Sequence, residues 1–529
     1  MNFPKLLTKH KAERPDVVAL YDTDQPITYR TLDDEVNRIA ALLHEQGAQA
    51  GDRLALWLPN CTAWLTIFLA CARLGITVVA MNTRFRSREA GDLISRGRCR
   101  WLAMWPTFKG LPFAQILSDI DPNLLSAVEG VLVLGDTVET SPVPAARMFR
   151  YDDRPIARLP ESLPLPADTT HALVYTTSGT TSQAKLVVHD QKTMIEHGFA
   201  VARFHGIVPG DAILMGAPFC GAFGFSAALA GLASGAALVS SPVQDPVECA
   251  RQIKQYKATH IFANNELLDR ILDSAADETK PFPSLRIAGF ASFAPSLGDL
   301  PARAEKAGIA LVGLYGSSEL QALVAAQRAD APLAERELAG GHLASPKARV
   351  RTRDAESGKI LPHGEVGEIE ILSASLMKGY LDNEEATRKA IDAEGYFRTG
   401  DLGHTVDSQT FVFHARTGDF LRLSGFLVNP IEIEQFIETL SGVAACQVVG
   451  VTHQGKTVPV AFTLAADGSS LKEQDIIDYC RTSLARFKVP VRAPVIEAFP
   501  VVESANSNKI QRGKLQEMAL TMLGTISAA

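Results

Sequence analysis

The 529-residue chain predicts an α/β protein: a large N-terminal domain of helices packed on mixed, largely parallel sheets, followed by a small α+β domain. Three observations predict it. Short apolar runs alternate with helical patterns over most of the length. Strand character becomes denser from about residue 365, where glycine-containing turns separate the runs. Apolar residues make up 46% of the chain, enough for more than one core.

The first strand–helix–strand unit reads "DRLALWLP", "CTAWLTIFLACARLG" and "ITVVAMN". Its most apolar stretch is broken by Arg73 and Gly75 and is shorter than the roughly 20 apolar residues that span a bilayer. A buried helix leading into a strand is the reading. "HALVYTTSGTTSQAKLVVH" then gives strand, loop and strand, with Leu173 to Tyr175 before the loop and Leu186 to Val188 after it. "THIFANN", "LRIAGFAS" and "IALVGLYG" continue the alternation, and "EVGEIEILS" and "QTFVFHARTGDFLRLSGFLV" open the strand-dense region. A well-marked helix follows: Asn429 offers a cap, Pro430 suits the first helical position, Glu432 completes a capping box and Gly442 stops it. The tail reads strand, strand, helix, strand through "CQVVGV", "VPVAFTL", "KEQDIIDYCRTSLARF" and "APVIEAF". The division falls near "ARTGDF", giving domains 1–417 and 418–529, because Gly418 supplies a backbone free to change φ and ψ.

A net charge of −7 and the lack of a dense Lys/Arg block argue against non-specific nucleic-acid binding, so small molecules are the expected partners. "MNFPKLLTKHKAERPDVVAL" has no secretory core, and no integral membrane segment is expected, which places the protein in the cytoplasm as an expectation. Cysteines 61, 71, 99, 220, 249, 446 and 480 form an odd set without metal-ligand spacing. Free, structural thiols in a reduced compartment are expected.

Gly179 to Lys185 nearly matches the Walker pattern GxxxxGK followed by Ser or Thr. Ala184 replaces its second glycine, Leu186 replaces the magnesium-binding hydroxyl, and no helix follows at once, which argues against a Walker-type ATPase. Thr177, Ser178, Thr180, Thr181 and Ser182 still offer hydroxyl and backbone donors to phosphate oxygens, and Lys185 adds charge. Taken alone, the loop reads first as a solvated turn.

Five motifs occur in order: "TTSGTTSQAKLVVH", "YGSSEL", "GYFRTGDLG", "LRLSGFLVNPIEIE" and "SNKIQRGKL". Together they resemble the adenylate-forming superfamily, within it the acyl- and aryl-CoA synthetases, and the resemblance spans nearly the whole chain. It implies a two-step reaction with ATP, Mg2+ and coenzyme A. A carboxylate attacks the α-phosphorus of ATP to give an acyl-adenylate and pyrophosphate, and a thiol then displaces AMP. A stand-alone enzyme that loads a carrier-protein thiol is the alternative, and a degenerate nucleotide- or acyl-binding homologue is a third reading. The sequence leaves the oligomeric state open, a homodimer included.

Residue by residue, the resemblance assigns Gly179 and its neighbouring hydroxyls to the triphosphate, with Lys185, and Glu319 to holding Mg2+. Ser318 stands where threonine is usual, and Tyr315 and Gly316 match the adenine segment. Asp401 matches the acid on the ribose hydroxyls, with an Asx turn after Gly400 as its structural alternative. Arg416 matches a second ribose and phosphate contact, and Gly425 falls in the nucleotide-binding set. The catalytic lysine has two registers. "KIQR" puts it at Lys509, with Asn508 in place of glycine, and "GK" puts it at Lys514; the first matches more positions. Gly418 matches the hinge of a mobile small domain. Gly221, in "APFCGAFGF", falls where the family carries a histidine or aromatic, and Cys220, Phe223, Gly289 and Ala291 are placed with it in the acyl pocket. The segment carries no charge, so a hydrophobic fatty or aryl acid is expected. Ser182, Ala184 and Leu186 replace the usual Gly, Pro and Gly, which implies a stiffer phosphate loop.

Overall fold

The computed structural model describes residues 1–108, 113–135, 140–160, 162–177, 184–276, 278–291, 299–416, 421–423, 426–428, 430–453, 456–503 and 508–524. They divide into two compact units. One comprises Met1–Ala291, Leu300–Arg349 and Leu372–Phe397; the other gathers Val350–Ile371 and the chain from Arg398 onward. This line differs from the 417/418 division read from the sequence, because the strands of the strand-dense region count with the C-terminal unit. Gly418 itself lies outside the described residues.

The larger unit contains two sheets with helices between their strands in sequence. Eight strands of one lie in the order Gly379–Tyr380, Leu186–Asp190, His171–Thr176, Thr77–Ala80, Arg53–Trp57, Trp101–Met104, Gly130–Val133 and Arg147–Arg150. All neighbours from His171–Thr176 to Arg147–Arg150 are parallel, and Leu186–Asp190 is antiparallel to both its neighbours. Thr77–Ala80, Trp101–Met104 and Gly130–Val133 are buried at every position. Strands covered on both faces select unbroken apolar runs, which is why the sequence shows short runs rather than alternation. In the other sheet, parallel pairing links Val18–Asp22, Ala237–Ser240, Ala212–Gly216, His260–Asn264, Ile287–Ala291 and Ala310–Tyr315 in that order. Mixed, largely parallel sheets are therefore present as expected.

The apolar stretch near the start folds as the helix Thr62–Leu74, stopped by Gly75 at φ 74°, and the strand Thr77–Ala80. Trp64 and Phe68 of this helix pack on Phe225, with ring centroids 4.7 and 4.8 Å apart, and so fix the helix Ala222–Ser234 that follows "APFCG".

In the second unit, Ile360–Leu361, Arg349–Arg353, Gly367–Leu372, Phe397–Thr405 and Thr410–Arg416 lie side by side in that order. The fully buried Glu370 carboxylate there is paired with Arg351 and Arg353, at 2.7 and 2.6 Å. Further on, the hairpin of Val443–His453 and Lys456–Ala465 has cores on both faces, packed by Pro430–Glu438, Glu473–Ser483 and Arg512–Gly524. "APVIEAF" is a correction: it makes only one isolated bridge, Thr463 to Val495, with another just before it from Val460 to Arg492, because Pro490, Pro494 and Pro500 remove ladder donors around it. The last strands are instead Val501–Glu503 and Asn508–Ile510, paired antiparallel before the helix Arg512–Gly524.

Among the described residues no helix is long and apolar enough to cross a membrane. All seven cysteines are free and buried, and burial pushes the Cys220 thiol up to about 12, so these thiols pack rather than react.

Candidate active site

Strands His171–Thr176 and Leu186–Asp190 form the hairpin that carries the hydroxyl-rich loop, paired down to Thr176 opposite Leu186. Its neck closes one step further. Thr177 donates its backbone N–H to the Lys185 carbonyl (3.0 Å), and the Lys185 N–H returns a bond to Thr177 Oγ1 (3.1 Å). Ser178, Gly179, Thr180, Thr181 and Ser182 lie outside the described residues. Leu186 is 2% exposed and belongs to the core of this sheet. The sequence reading placed Leu186 at the start of the strand after the loop and counted it among the replacements of the usual loop residues; it is indeed a strand residue, and its side chain belongs to the core. Ala184 is where the loop is tied down: its carbonyl accepts from Arg96 Nη1 at 2.9 Å, and Arg96 is paired with Asp92.

Glu319 lies in the short 3-10 turn Ser318–Leu320, just after the strand that ends in the buried Tyr315. The turn is held from two sides. His189 Nε2 donates to the Ser318 carbonyl (2.8 Å), and the Met377 N–H donates to the Glu319 carbonyl (2.8 Å). Gly316 has a packing reason of its own: a Cβ there would meet Ala322 Cα at 2.5 Å, so the returning chain requires glycine. Gln321, Ala322 and Leu323 all have positive φ, at 61, 50 and 41°, a strained run that brings the chain back over Gly316.

A residue that the sequence reading missed joins these parts. Tyr380 donates its hydroxyl to Glu319 Oε1 at 2.9 Å, and Lys185 Nζ lies 4.7 Å from the centroid of the same ring. Segment 377–381 runs along the strand Leu186–Asp190, with Tyr380 opposite Val187, so the ring is delivered beside Lys185 by sheet pairing. The arrangement gives one cation and one carboxylate on a common aromatic support. Nothing in "MKGYLDNEEAT" marks Tyr380 as polar machinery; only pairing across a long sequence separation does.

In the second unit, Asp401 and Arg416 face each other on paired strands, with Arg416 Nε 3.0 Å from Asp401 Oδ1. Asp401 is buried within the strand Phe397–Thr405, and Thr399 Oγ1 accepts its backbone N–H at 3.0 Å. Lys509 lies in the strand Asn508–Ile510, opposite Val502, and its side chain is outside the described ones; Lys514 is exposed in the first turn of Arg512–Gly524. Gly425 is also outside the described residues.

Of the residues placed at the acyl pocket, Cys220 and Phe223 are buried, and Gly221 is the N-cap of the helix Ala222–Ser234. Ala291 is half-buried at the end of its strand. Gly289 has a different reason: its Cβ would meet Phe262 Cδ1 at 2.6 Å and Leu314 Cδ1 at 3.0 Å, so it is glycine to let neighbouring strands' side chains fill the space.

The AMP-binding enzyme profile matches residues 7–381, and the AMP-binding enzyme C-terminal domain profile matches residues 432–506. The chain is 29% identical over 528 residues to the 3-(7a-methyl-1,5-dioxo-octahydroinden-4-yl)propanoyl:CoA ligase of Rhodococcus jostii (strain RHA1), covering 97% of this chain and 98% of that one. It is 26% identical over 491 residues to the long-chain-fatty-acid–CoA ligase FadD13 of Mycobacterium tuberculosis, covering 90% of this chain and 91% of the relative. Its fold superposes on ATP-bound MatB from Rhodopseudomonas palustris with a TM-score of 0.82 at 23% identity, covering 99% of this chain and 100% of that one. With profiles that match over both parts of the sequence, the chain belongs to the family of AMP-binding enzymes.

Proposed function

We propose that this protein activates a hydrophobic fatty or aryl carboxylic acid with ATP and passes the acyl group to coenzyme A. In the first half-reaction a carboxylate oxygen bonds to the α-phosphorus and pyrophosphate leaves. In the second, the sulfur of coenzyme A bonds to the acyl carbon, AMP leaves, and the thiol proton is lost. The observation that carries this reading is the Lys185–Tyr380–Glu319 assembly at the neck of the hydroxyl-rich hairpin.

Two anions must meet in the first step, so the site has to supply positive charge and oriented donors before bond formation. Lys185 supplies a cation next to the loop. Tyr380 occupies one lone pair of Glu319 Oε1, and among the described residues it is the one hydrogen-bond partner of that carboxylate. That is a fitting donor set for Mg2+, which takes one or two carboxylates and completes its shell with phosphates and water. When bound, the ion would neutralise charge on the triphosphate. Asp401, whose carboxylate faces Arg416, supplies acceptors suited to ribose hydroxyls. Lys509 is the proposed mobile lysine, and Gly418 the proposed hinge.

Names of the relatives favour free coenzyme A as acceptor over a carrier protein, and they include both a long fatty acid and a bulky polycyclic acid. ATP/pyrophosphate exchange across a panel of aliphatic and aryl acids, followed by coenzyme A-dependent release of AMP with the best acid, tests the reading. Exchange and thioester formation are expected. Exchange without a coenzyme A product would transfer the proposal to carrier-protein loading, and silence across the panel would leave a binding protein.

A further inference from the structure

Two of the ordered motifs meet in one buried ion pair of the second unit, which the chemistry described above leaves unused. Glu434, in the helix Pro430–Glu438, is 5% exposed, and its Oε1 accepts the Val448 N–H at 2.8 Å and Arg512 Nη2 at 2.9 Å. Arg512 opens the helix Arg512–Gly524, three residues after Lys509. Glu438, one turn beyond Glu434, shows what the backbone bond alone requires. It accepts the N–H of Cys446 at 3.0 Å, two residues before Val448 on the same strand, and among the described residues it does so without a cation. Satisfying the outward N–H groups of that strand therefore does not call for Arg512.

The pair stands where the unit needs a fixed register. Among the described residues, Val501–Glu503 and Asn508–Ile510 form a two-stranded sheet with no third strand beside them. Such a ribbon is marginal by itself. Its ties run to the start of the last helix: Gln511 donates its backbone N–H to the Pro500 carbonyl at 2.7 Å and its side-chain amide to the Val501 carbonyl at 2.8 Å. The helix is held in turn by Leu515, Ala519 and Leu523, which share a core with Val449, Val451 and Phe462. Apolar burial has no direction, whereas a charge-assisted hydrogen bond does, and Arg512 is the anchor nearest Lys509. A buried ion pair is weak evidence for stability, because desolvating both charges offsets their attraction; fixing a register is its best-attested use.

We propose that Glu434 and Arg512 are positioning residues for Lys509: their bond fixes where the last helix begins, and with it the strand that carries the lysine. The claim rests on the reading of Lys509 as the lysine of adenylate formation. It gives neither residue a contact with ATP, the acid or coenzyme A. Loss of the pair should therefore slow turnover in the first half-reaction, leave binding alone and spare the second half-reaction.

The test compares Arg512→Met, Arg512→Lys and the double variant Glu434→Gln/Arg512→Met in the full chain. The double variant removes both charges and keeps an acceptor for the Val448 N–H, so it leaves no buried charge unpaired. Three quantities are read: kcat and KM in pyrophosphate exchange, thioester formation from preformed acyl-adenylate and coenzyme A, and circular dichroism. Arg512→Met and the double variant should lose about 10- to 100-fold in kcat for exchange, with KM for ATP and for the acid, and the rate of thioester formation, unchanged. Arg512→Lys keeps the cation and should recover most of the loss. In a Lys509→Ala background Arg512→Met should cost nothing more, because residues that act through one group are not additive. Unchanged exchange in both Arg512→Met variants, equal losses in the two half-reactions, or a full further loss in the Lys509→Ala background overturns the proposal. Near-normal exchange in Lys509→Ala itself would remove the role of the lysine and the proposal with it, whereas a collapse in Lys509→Ala beside normal exchange in Arg512→Met removes the positioning role alone.

Discussion

Tyr380 shows how much a single side chain decides that its own sequence surroundings conceal. Its hydroxyl is 2.9 Å from Glu319 Oε1, and its ring lies 4.7 Å from Lys185 Nζ, so one residue joins the two charges proposed to face the triphosphate. Tyr380→Phe keeps the ring and removes the bond to a charged acceptor, worth about 1.5 kcal/mol or tenfold. Calorimetry of a non-hydrolysable ATP analogue should show about a tenfold loss of affinity in the presence of Mg2+ and little change in its absence. Equal losses under both conditions would show that the tyrosine acts on the nucleotide rather than through Glu319. Gly316, Gly289 and Leu186 teach the complementary lesson: each falls in a motif or a pocket assignment, yet close packing in the larger unit already accounts for its identity.

At the level of elements, the strand–helix–strand units were legible because doubly covered strands leave unbroken apolar runs, and because glycines such as Gly75 end helices in the left-handed region. "APVIEAF" was not legible as a coil, since it has strand composition and fails only for want of ladder donors at its prolines. The hairpin of Val501–Glu503 with Asn508–Ile510 matters for the choice of catalytic lysine. It puts Lys509 on a strand, whereas Lys514 rides on the helix Arg512–Gly524, whose Leu515 is buried in the core. Lys509→Ala should lower adenylate formation in pyrophosphate exchange by at least 100-fold while circular dichroism stays unchanged, and Lys514→Ala should keep most of the activity. The reverse pattern would move the catalytic role to the helix.

On the scale of the whole molecule, the chain divides its candidate chemistry between two compact units. Lys185, Tyr380 and Glu319 belong to one; Asp401, Arg416 and Lys509 belong to the other. Two half-reactions with different nucleophiles are well served by parts that can be re-presented in turn. Gly418→Pro fixes φ at the proposed hinge and is expected to slow thioester formation at least tenfold more than pyrophosphate exchange; equal losses in both half-reactions would remove the hinge role. By itself the sequence determined the fold class, the family motifs and the identity of most charged groups, because buried-strand periodicity, helix stops and ordered short motifs are local properties of a chain. Only the tertiary structure decided that Tyr380 joins Lys185 to Glu319, that Leu186 is core, and that Glu434 meets Arg512. Those relations come from sheet pairing and helix packing between residues far apart in the chain, and no local pattern encodes them.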